Sequence, residues 1–483
     1  MNTMIRSLFV ALLGLVTLLP AQASASGFLV ARFSGEHGHP TTDNPTAIYF
    51  NPAGLSLLGG TRLFISSAFA WRSASYDRNP GAIDSILTDP TVGAGTPAGA
   101  GEAANSGENT LTNYFASPFI GAVTDFGVDG LGVGLAFYVP FGGATTWDKQ
   151  PANADFPGAE DGSQRWYVID GTIRSMYLSL GVAYKIPDIN LSVGAGFNTI
   201  FSTVNTLRAR NATGTDHLTN AGSIQEGRGL LDVSGIDFSI SGGLMWQPIP
   251  ELTLGVSYQA KPAFGEMVLD GDLTLLLGAA VEPQKFDVEF KQTLPDVLRF
   301  GARVDIPTWQ IRASAELARW SSLEYQCVLS KIEGRNCSLQ DPVGNLIIVP
   351  RQWEDAWGFR LGASHWLSDT FELNFGVGFD QNAINDNTLD AAFIDMDKAS
   401  IGVGARIGLL DKELFLSVSY AQIIYFERTT KPRARIPDPG NPGATLSDFE
   451  GATGANGALR QPDAAGTYNQ AVGVLDVALE YQF

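Results

Sequence analysis

The chain ends Leu475-Asp476-Val477-Ala478-Leu479-Glu480-Tyr481-Gln482-Phe483, and this stretch decides how the rest is read. Large apolar residues fall on every odd position; acidic, amide or small residues fall on every even one. A period of two marks a β-strand with one face suited to an apolar medium and one to water. The alternation recurs upstream in Leu252, Leu254, Val256 and Tyr258 against Thr253, Gly255, Ser257 and Gln259. It recurs again in Phe371, Leu373, Phe375, Val377 and Phe379, and across residues 131–139, 176–184, 191–201 and 414–420. A soluble sandwich also alternates, but its strands average about five or six residues, and these run longer.

Extending the pattern predicts strands near 61–76, 109–125, 130–140, 170–185, 189–209, 230–247, 250–268, 291–305, 309–322, 354–366, 370–380, 398–409, 413–427 and 472–483. That makes about fourteen, an even number as bacterial outer-membrane barrels have. The connections alternate in length. Those at 126–129, 186–188, 247–250, 306–308, 367–369 and 410–412 are short and rich in turn formers. Those near 77–108, 141–169, 210–229, 269–290, 323–353, 381–397 and 428–471 are long. Short periplasmic turns and long external loops predict an all-β, antiparallel transmembrane β-barrel of the bacterial outer membrane, with Phe483 at the periplasmic rim. Closure is required because hydrocarbon offers no water to an unpaired sheet edge. Tyr184, Tyr258, Tyr420, Tyr481, Trp71, Trp309, Trp320, Trp357 and Trp366 fall near strand ends, where interfacial girdles are expected.

The first residues fit export. Arg6 precedes an apolar run over 8–19 and then Ala21-Gln22-Ala23-Ser24-Ala25, so 1–25 reads as a secretory signal peptide. The apolar run is shorter than the roughly 20 residues a spanning helix needs. A net charge of −19 excludes nucleic acid as a partner, since phosphate binding needs basic patches. Cys327 and Cys337, the only two cysteines, are expected to form a disulfide closing an external loop. With four histidines and no third ligand beside His37 and His39, neither a metal nor a cofactor is expected. No Ser, His and acid spacing predicts a triad, and Gly132-Val133-Gly134 lies inside a strand, so no enzyme is expected.

Residues 26–60 alternate little, yet contain Phe28, Leu29, Ile48, Tyr49, Phe50, Leu55, Leu57 and Leu58. A dangling tail would be polar, so this segment is predicted to fold into the lumen as an N-terminal plug, or hatch, with the barrel occupying 61–483. Strand parity places Arg299, Arg303, Arg312, Arg360 and Arg406 on the lumen face as candidate ligand contacts, beside Glu316, Glu372, Asp476 and Glu480 that could neutralise them.

At the centre of the plug stands Asp43-Asn44-Pro45-Thr46-Ala47-Ile48-Tyr49-Phe50-Asn51-Pro52-Ala53-Gly54-Leu55. This resembles the hatch signature of the FadL/TodX (OmpP1) family of outer-membrane transporters for long-chain fatty acids and aromatic hydrocarbons. Tyr138-Val139-Pro140-Phe141-Gly142, Thr293-Leu294-Pro295-Asp296 with Ala318-Arg319-Trp320-Ser321, and Trp353-Glu354-Asp355-Ala356-Trp357 are similar to later stretches of the family. The resemblance implies a hatch motif at Asn51, Pro52, Ala53 and Gly54. It also implies an inward kink of the third strand at Pro140, Phe141, Gly142 and Gly143 that opens a lateral gap. The implied function is uptake of a hydrophobic small molecule, a fatty acid or an aromatic hydrocarbon, with outer-membrane lipid around a monomeric barrel. The alternatives are a general diffusion porin, which predicts a charged constriction without a packed plug, and a surface-structural or adhesin barrel.

Overall fold

The computed structural model describes residues 38–84, 100–150, 157–211, 214–220, 223–278, 280, 282–331, 337, 345–437, 445–447 and 461–483. The expected signal peptide and the start of the expected plug lie outside them. The long alternating segments become fourteen barrel strands: β1 (Thr61–Arg78), β2 (Gly107–Thr124), β3 (Leu131–Thr146), β4 (Asp170–Ile186), β5 (Leu191–Arg210), β6 (Gly227–Ile249) and β7 (Leu252–Gln259) form one half. The other half is β8 (Val297–Ile306), β9 (Trp309–Ala318), β10 (Ala356–Ser368), β11 (Phe371–Asp380), β12 (Lys398–Leu409), β13 (Leu414–Tyr425) and β14 (Gly466–Gln482). Each pairs antiparallel with the next, and β14 pairs with β1 from Arg62↔Gln482 to Arg78↔Gly466, which closes the barrel. Among the described residues no helix is long and apolar enough to cross a membrane. The strands make the crossing.

The alternation resolves as the period requires. Leu180, Phe197, Ile240, Leu361, Phe375 and Ile401 are exposed on the outer face, where a barrel meets lipid. Asp476 and Glu480 are buried inside, and Glu480 holds Arg62 at 2.9 Å and Arg406 at 3.0 Å. Two residues expected in the girdles are buried instead: Trp320 within the lumen core, and Tyr481 in a rim cluster with Leu414 and Leu479.

The structure departs from the sequence reading above the rim. Strand β7 stops at Gln259, and the expected loop 269–290 is a hairpin of Met267–Leu276 and Gln284–Gln292. The hairpin pairs with the upper part of β6, and Tyr325–Ser330 and Asn345–Pro350 from the expected loop 323–353 add two further strands. Polarity is inverted in this extension. Leu269, Leu273, Val288 and Phe290 are buried inside, while Lys285 pairs with Asp272 at 2.8 Å and Lys331 with Asp270 at 2.7 Å on the outside. Val268 and Leu276 are exposed there too, but the exposed ion pairs on the outer face fit a wall that stands in water and not in lipid. Cys327 and Cys337 are disulfide-bonded within it. Two buried ion pairs, Arg78–Asp216 at 2.7 Å and Arg165–Glu226 at 2.9 Å, tie the loops across the mouth.

Candidate functional site: plug, wall window and external pocket

The N-terminal segment lies inside the barrel near the short turns. It holds a turn of α-helix (Ala47–Phe50) followed by a 3-10 turn (Pro52–Leu57). Asn51 joins the two. Its side chain, wholly buried, accepts from Ala53 N at 3.1 Å and donates to Pro40 O at 2.8 Å and to Leu244 O of β6 at 3.0 Å. Pro52 opens the 3-10 turn, where its missing N–H costs nothing. A Cβ on Gly54 would stand 2.4 Å from Thr42 O, and one on Gly194 of β5 would stand 2.3 Å from Ala53 N. Glycine at both places lets the segment fold on itself and lie against the wall. Ile48, Tyr49, Phe50, Leu55 and Leu58 are buried, each stabilising the packing by about 1.5–3 kcal/mol.

Polar contacts from the wall fix the orientation. Arg303 Nη1 donates to Thr41 O at 2.9 Å and to Asp43 at 2.8 Å, and Arg299 Nη2 donates to Tyr49 OH at 2.7 Å. Ser257 Oγ donates to Phe50 O at 2.5 Å.

The backbone ladder of the wall is incomplete between β2 and β3. Strand β2 pairs with β1 along its whole length, but with β3 only from Thr124↔Val133 to Phe119↔Tyr138. Above that rung β3 carries a bulge. Tyr138 faces Tyr177 of β4 and Phe141 faces Ser175, so β3 spends three steps where β4 spends two, and the extra residue falls at Val139 and Pro140. A bulge bends a strand and unpairs it, and proline has no ladder donor. The strands meet again higher up, where Asn113 Nδ2 donates to Thr146 O at 3.1 Å and Asp148 N donates to Thr110 O at 3.0 Å. Between these points lies an unpaired stretch of the wall, the window, edged by Phe115, Ala116, Ser117 and Pro118 on β2 and by residues 139–143 on β3; nearly all of these residues are buried, so the ladder is broken there while the stretch itself is filled. Ser117 Oγ is buried there without a hydrogen-bond partner.

Above the N-terminal segment, where the barrel passes into the extension, lies a cavity of about 110 Å³. Ile173, Val204, Leu231, Leu273, Phe290 and Phe393 form its apolar walls, with Gly143 and Thr145 of β3 on the window side. Three arginines enter it. Arg351 is neutralised by Asp390 at 2.8 Å. Arg72, buried, donates to Gln470 Oε1 at 2.6 Å and to Thr145 Oγ1 at 3.3 Å; Arg208 donates to Gln461 Oε1 at 3.1 Å. Among the described residues neither Arg72 nor Arg208 forms an ion pair; Asp390 is near enough to act on Arg208 but is bonded to Arg351.

The five lumen arginines expected from parity do face inward, but none lines this cavity. Arg299 pairs with Glu316, Arg303 with Asp43 and Asp305, Arg360 with Asp380 and Arg406 with Glu480, while Arg312 bonds Gln310 and Ser364. Arg299 and Arg303 tie the N-terminal segment to the wall, while Arg312, Arg360 and Arg406 bond residues of the wall alone. Arg72 and Arg208 fall on inward faces by the same parity, together with Arg62 and Arg78 on β1 and Arg210 on β5, but parity alone does not single them out. Phe290, Val328 and Val349 could not be found that way, because they belong to strands read as loops. Among the described residues no cluster of His, Cys, Asp and Glu could hold a metal ion.

A family model described as outer membrane protein transport protein (OMPP1/FadL/TodX) matches residues 16–448. No curated relative matches the chain in sequence. Among solved structures, a Pseudomonas aeruginosa FadL homologue is similar with a TM-score of 0.71 at 17% identity, over 95% of this chain and 100% of that one. The toluene transporter TbuX of Ralstonia pickettii is similar with a TM-score of 0.57 at 15% identity, over 97% and 100%. The toluene transporter TodX of P. putida has a TM-score of 0.59 at 14% identity, over 91% and 94%. These likenesses speak for the fold.

Proposed function

The chain belongs to the OMPP1/FadL/TodX family of outer-membrane transport proteins for hydrophobic compounds, and from that premise we propose that its ligands are amphiphilic acids, an apolar tail with a carboxylate, released sideways into the membrane. Transport, not catalysis, is its activity. The pocket captures the ligand, the window between β2 and β3 releases it, and the plug keeps the periplasmic end shut. One chain closes the barrel, so a monomer suffices for the work.

The observation that carries the choice of ligand is Arg72, buried and without an ion-pair partner among the described residues, with the half-buried Arg208 beside the same pocket. A buried guanidinium group without a counter-charge is costly. A ligand carboxylate entering an otherwise apolar pocket would relieve that cost, and a charge-assisted hydrogen bond of this kind contributes about 1.5–3 kcal/mol. Sideways release follows from the tail. Each methylene moved from water to an apolar phase gains roughly 0.8 kcal/mol, and exit through an aqueous pore would forfeit that gain. Long-chain fatty acids have this chemistry.

A second reading, a neutral aromatic hydrocarbon, is favoured by the cavity of about 110 Å³, the scale at which a single ring is accommodated. The two are separated by measuring uptake of a labelled long-chain fatty acid and of toluene in cells lacking their own transporter. Replacing both arginines (Arg72→Ala with Arg208→Ala) is expected to reduce acid uptake at subsaturating concentration roughly tenfold to a hundredfold and to spare toluene. Toluene uptake by the wild type with no acid uptake would establish the second reading.

A further inference from the structure

Phe141 stands between the pocket, the window and the N-terminal segment, linked to each through neighbouring rings. It faces inward on the rung below Gly143, which walls the pocket, and it lies in the stretch of β3 that has lost its β2 partner. Its ring is 2% exposed and meets two others, Trp320 at 6.3 Å and Tyr177 at 6.2 Å between centroids. From Trp320 the rings continue through Trp353 at 4.9 Å to Phe393 at 5.9 Å, and Phe393 lines the pocket. From Tyr177 they continue through Tyr138 at 5.7 Å to Tyr49 of the N-terminal segment at 5.3 Å. Phe141 is the member of this chain that belongs to the window.

Its immediate neighbours along and across the strand are small. Gly142 and Gly143 follow it, and Ser175 stands opposite on β4 with its hydroxyl bonded to Ser202 at 2.7 Å. The ring is therefore held by Trp320 and Tyr177 and not by its strand neighbours, so a change of rotamer has only those two ring contacts to break.

We propose that Phe141 is the valve of this transporter. Its ring turns from Trp320 to let an apolar tail pass from the pocket into the β2–β3 window, and its size sets the thickest tail that passes. A straight alkyl chain is slim enough to follow a displaced phenyl ring; a tail ending in a ring of its own is not. The inference rests on the sideways release proposed above.

The test compares Phe141→Ala, Phe141→Leu and Phe141→Trp in the full chain, with labelled hexadecanoic acid and an acid of similar length ending in a phenyl ring as probes. Uptake is measured in cells, and binding of each acid is measured on the purified protein in detergent. The alanine variant is expected to raise uptake of the ring-bearing acid relative to the straight one roughly tenfold. The tryptophan variant is expected to lower uptake of both, and the leucine variant to fall between wild type and alanine. Binding should hold in all three, because Phe141 lies below the pocket. The idea is overturned if the preference between the two acids is the same in wild type, leucine and tryptophan variants that still bind. A chain lacking Pro140 serves as the control for the exit. If that chain takes up both acids normally, sideways release through the window is wrong. A size-dependent preference at residue 141 in the intact barrel would in that case still establish a valve, but one that guards a different exit.

Discussion

Deleting Pro140 is expected to reduce uptake roughly thirtyfold or more while the barrel still assembles, because reopening a wall with about four restored ladder bonds would cost at least about 2 kcal/mol. The reasoning is one of parity. Tyr138 and Phe141 both face inward although three positions apart, so removing one residue between them returns β3 to strict alternation and leaves every later side chain on its present face. Val139 then lies opposite Met176 with a free N–H, and β3 can continue its pairing with β2 past Phe119. The measurement is uptake of a labelled fatty acid, alongside heat-modifiable mobility on a gel as the check of assembly. Unchanged uptake by an assembled barrel would show that the ligand leaves by another route.

The second large effect is at the plug. Replacing Asn51 by Ala removes three hydrogen bonds, two of them buried, and leaves Ala53 N–H, Pro40 C=O and Leu244 C=O short of a partner. Each buried group so orphaned costs about 1–3 kcal/mol, so the substitution loosens the segment by several kcal/mol in total. The ring of strands is hydrogen-bonded independently of it and stays assembled. The expected result is a barrel of normal abundance that conducts ions in planar bilayers and admits hydrophilic antibiotics, with residues 38–58 newly open to protease. A variant as tight as the wild type in both assays would mean that Ser257, Arg299 and Arg303 hold the plug without help.

Period-two alternation made the barrel readable because lipid and lumen impose opposite demands on alternate residues, and fourteen segments met both. It failed above the rim for the same reason. From Met267 to Gln292 the medium outside is water and the apolar residues turn in, so the pattern no longer signals a membrane strand even though the sheet continues. The short turns were legible from proline, glycine and aspartate. The plug's Asn51-Pro52-Ala53-Gly54 was legible as a motif, but not the reason for each residue, since that lies in contacts with Thr42, Leu244 and Gly194 distant in sequence. Charge on the lumen face could be assigned from parity, whereas its role could not. Arg299 and Arg72 look alike along the chain, and only the neighbouring strands reveal that one has Glu316 beside it and the other an amide.

The length of β6 has a consequence for where a ligand is first met. It runs for 23 residues, about 75 Å of extended chain, whereas a tilted barrel strand needs only about 9–11 residues to cross the hydrocarbon. Roughly half of it therefore rises beyond the lipid as part of a stiff chimney, braced by the Met267–Gln292 hairpin and the disulfide. The outer leaflet of such a membrane is crowded with charged sugar, a layer that apolar solutes cross poorly. A mouth carried up through that layer meets dilute ligand on its far side, so the sugar barrier that protects the cell from oils and detergents is bypassed at this one address and left intact everywhere else.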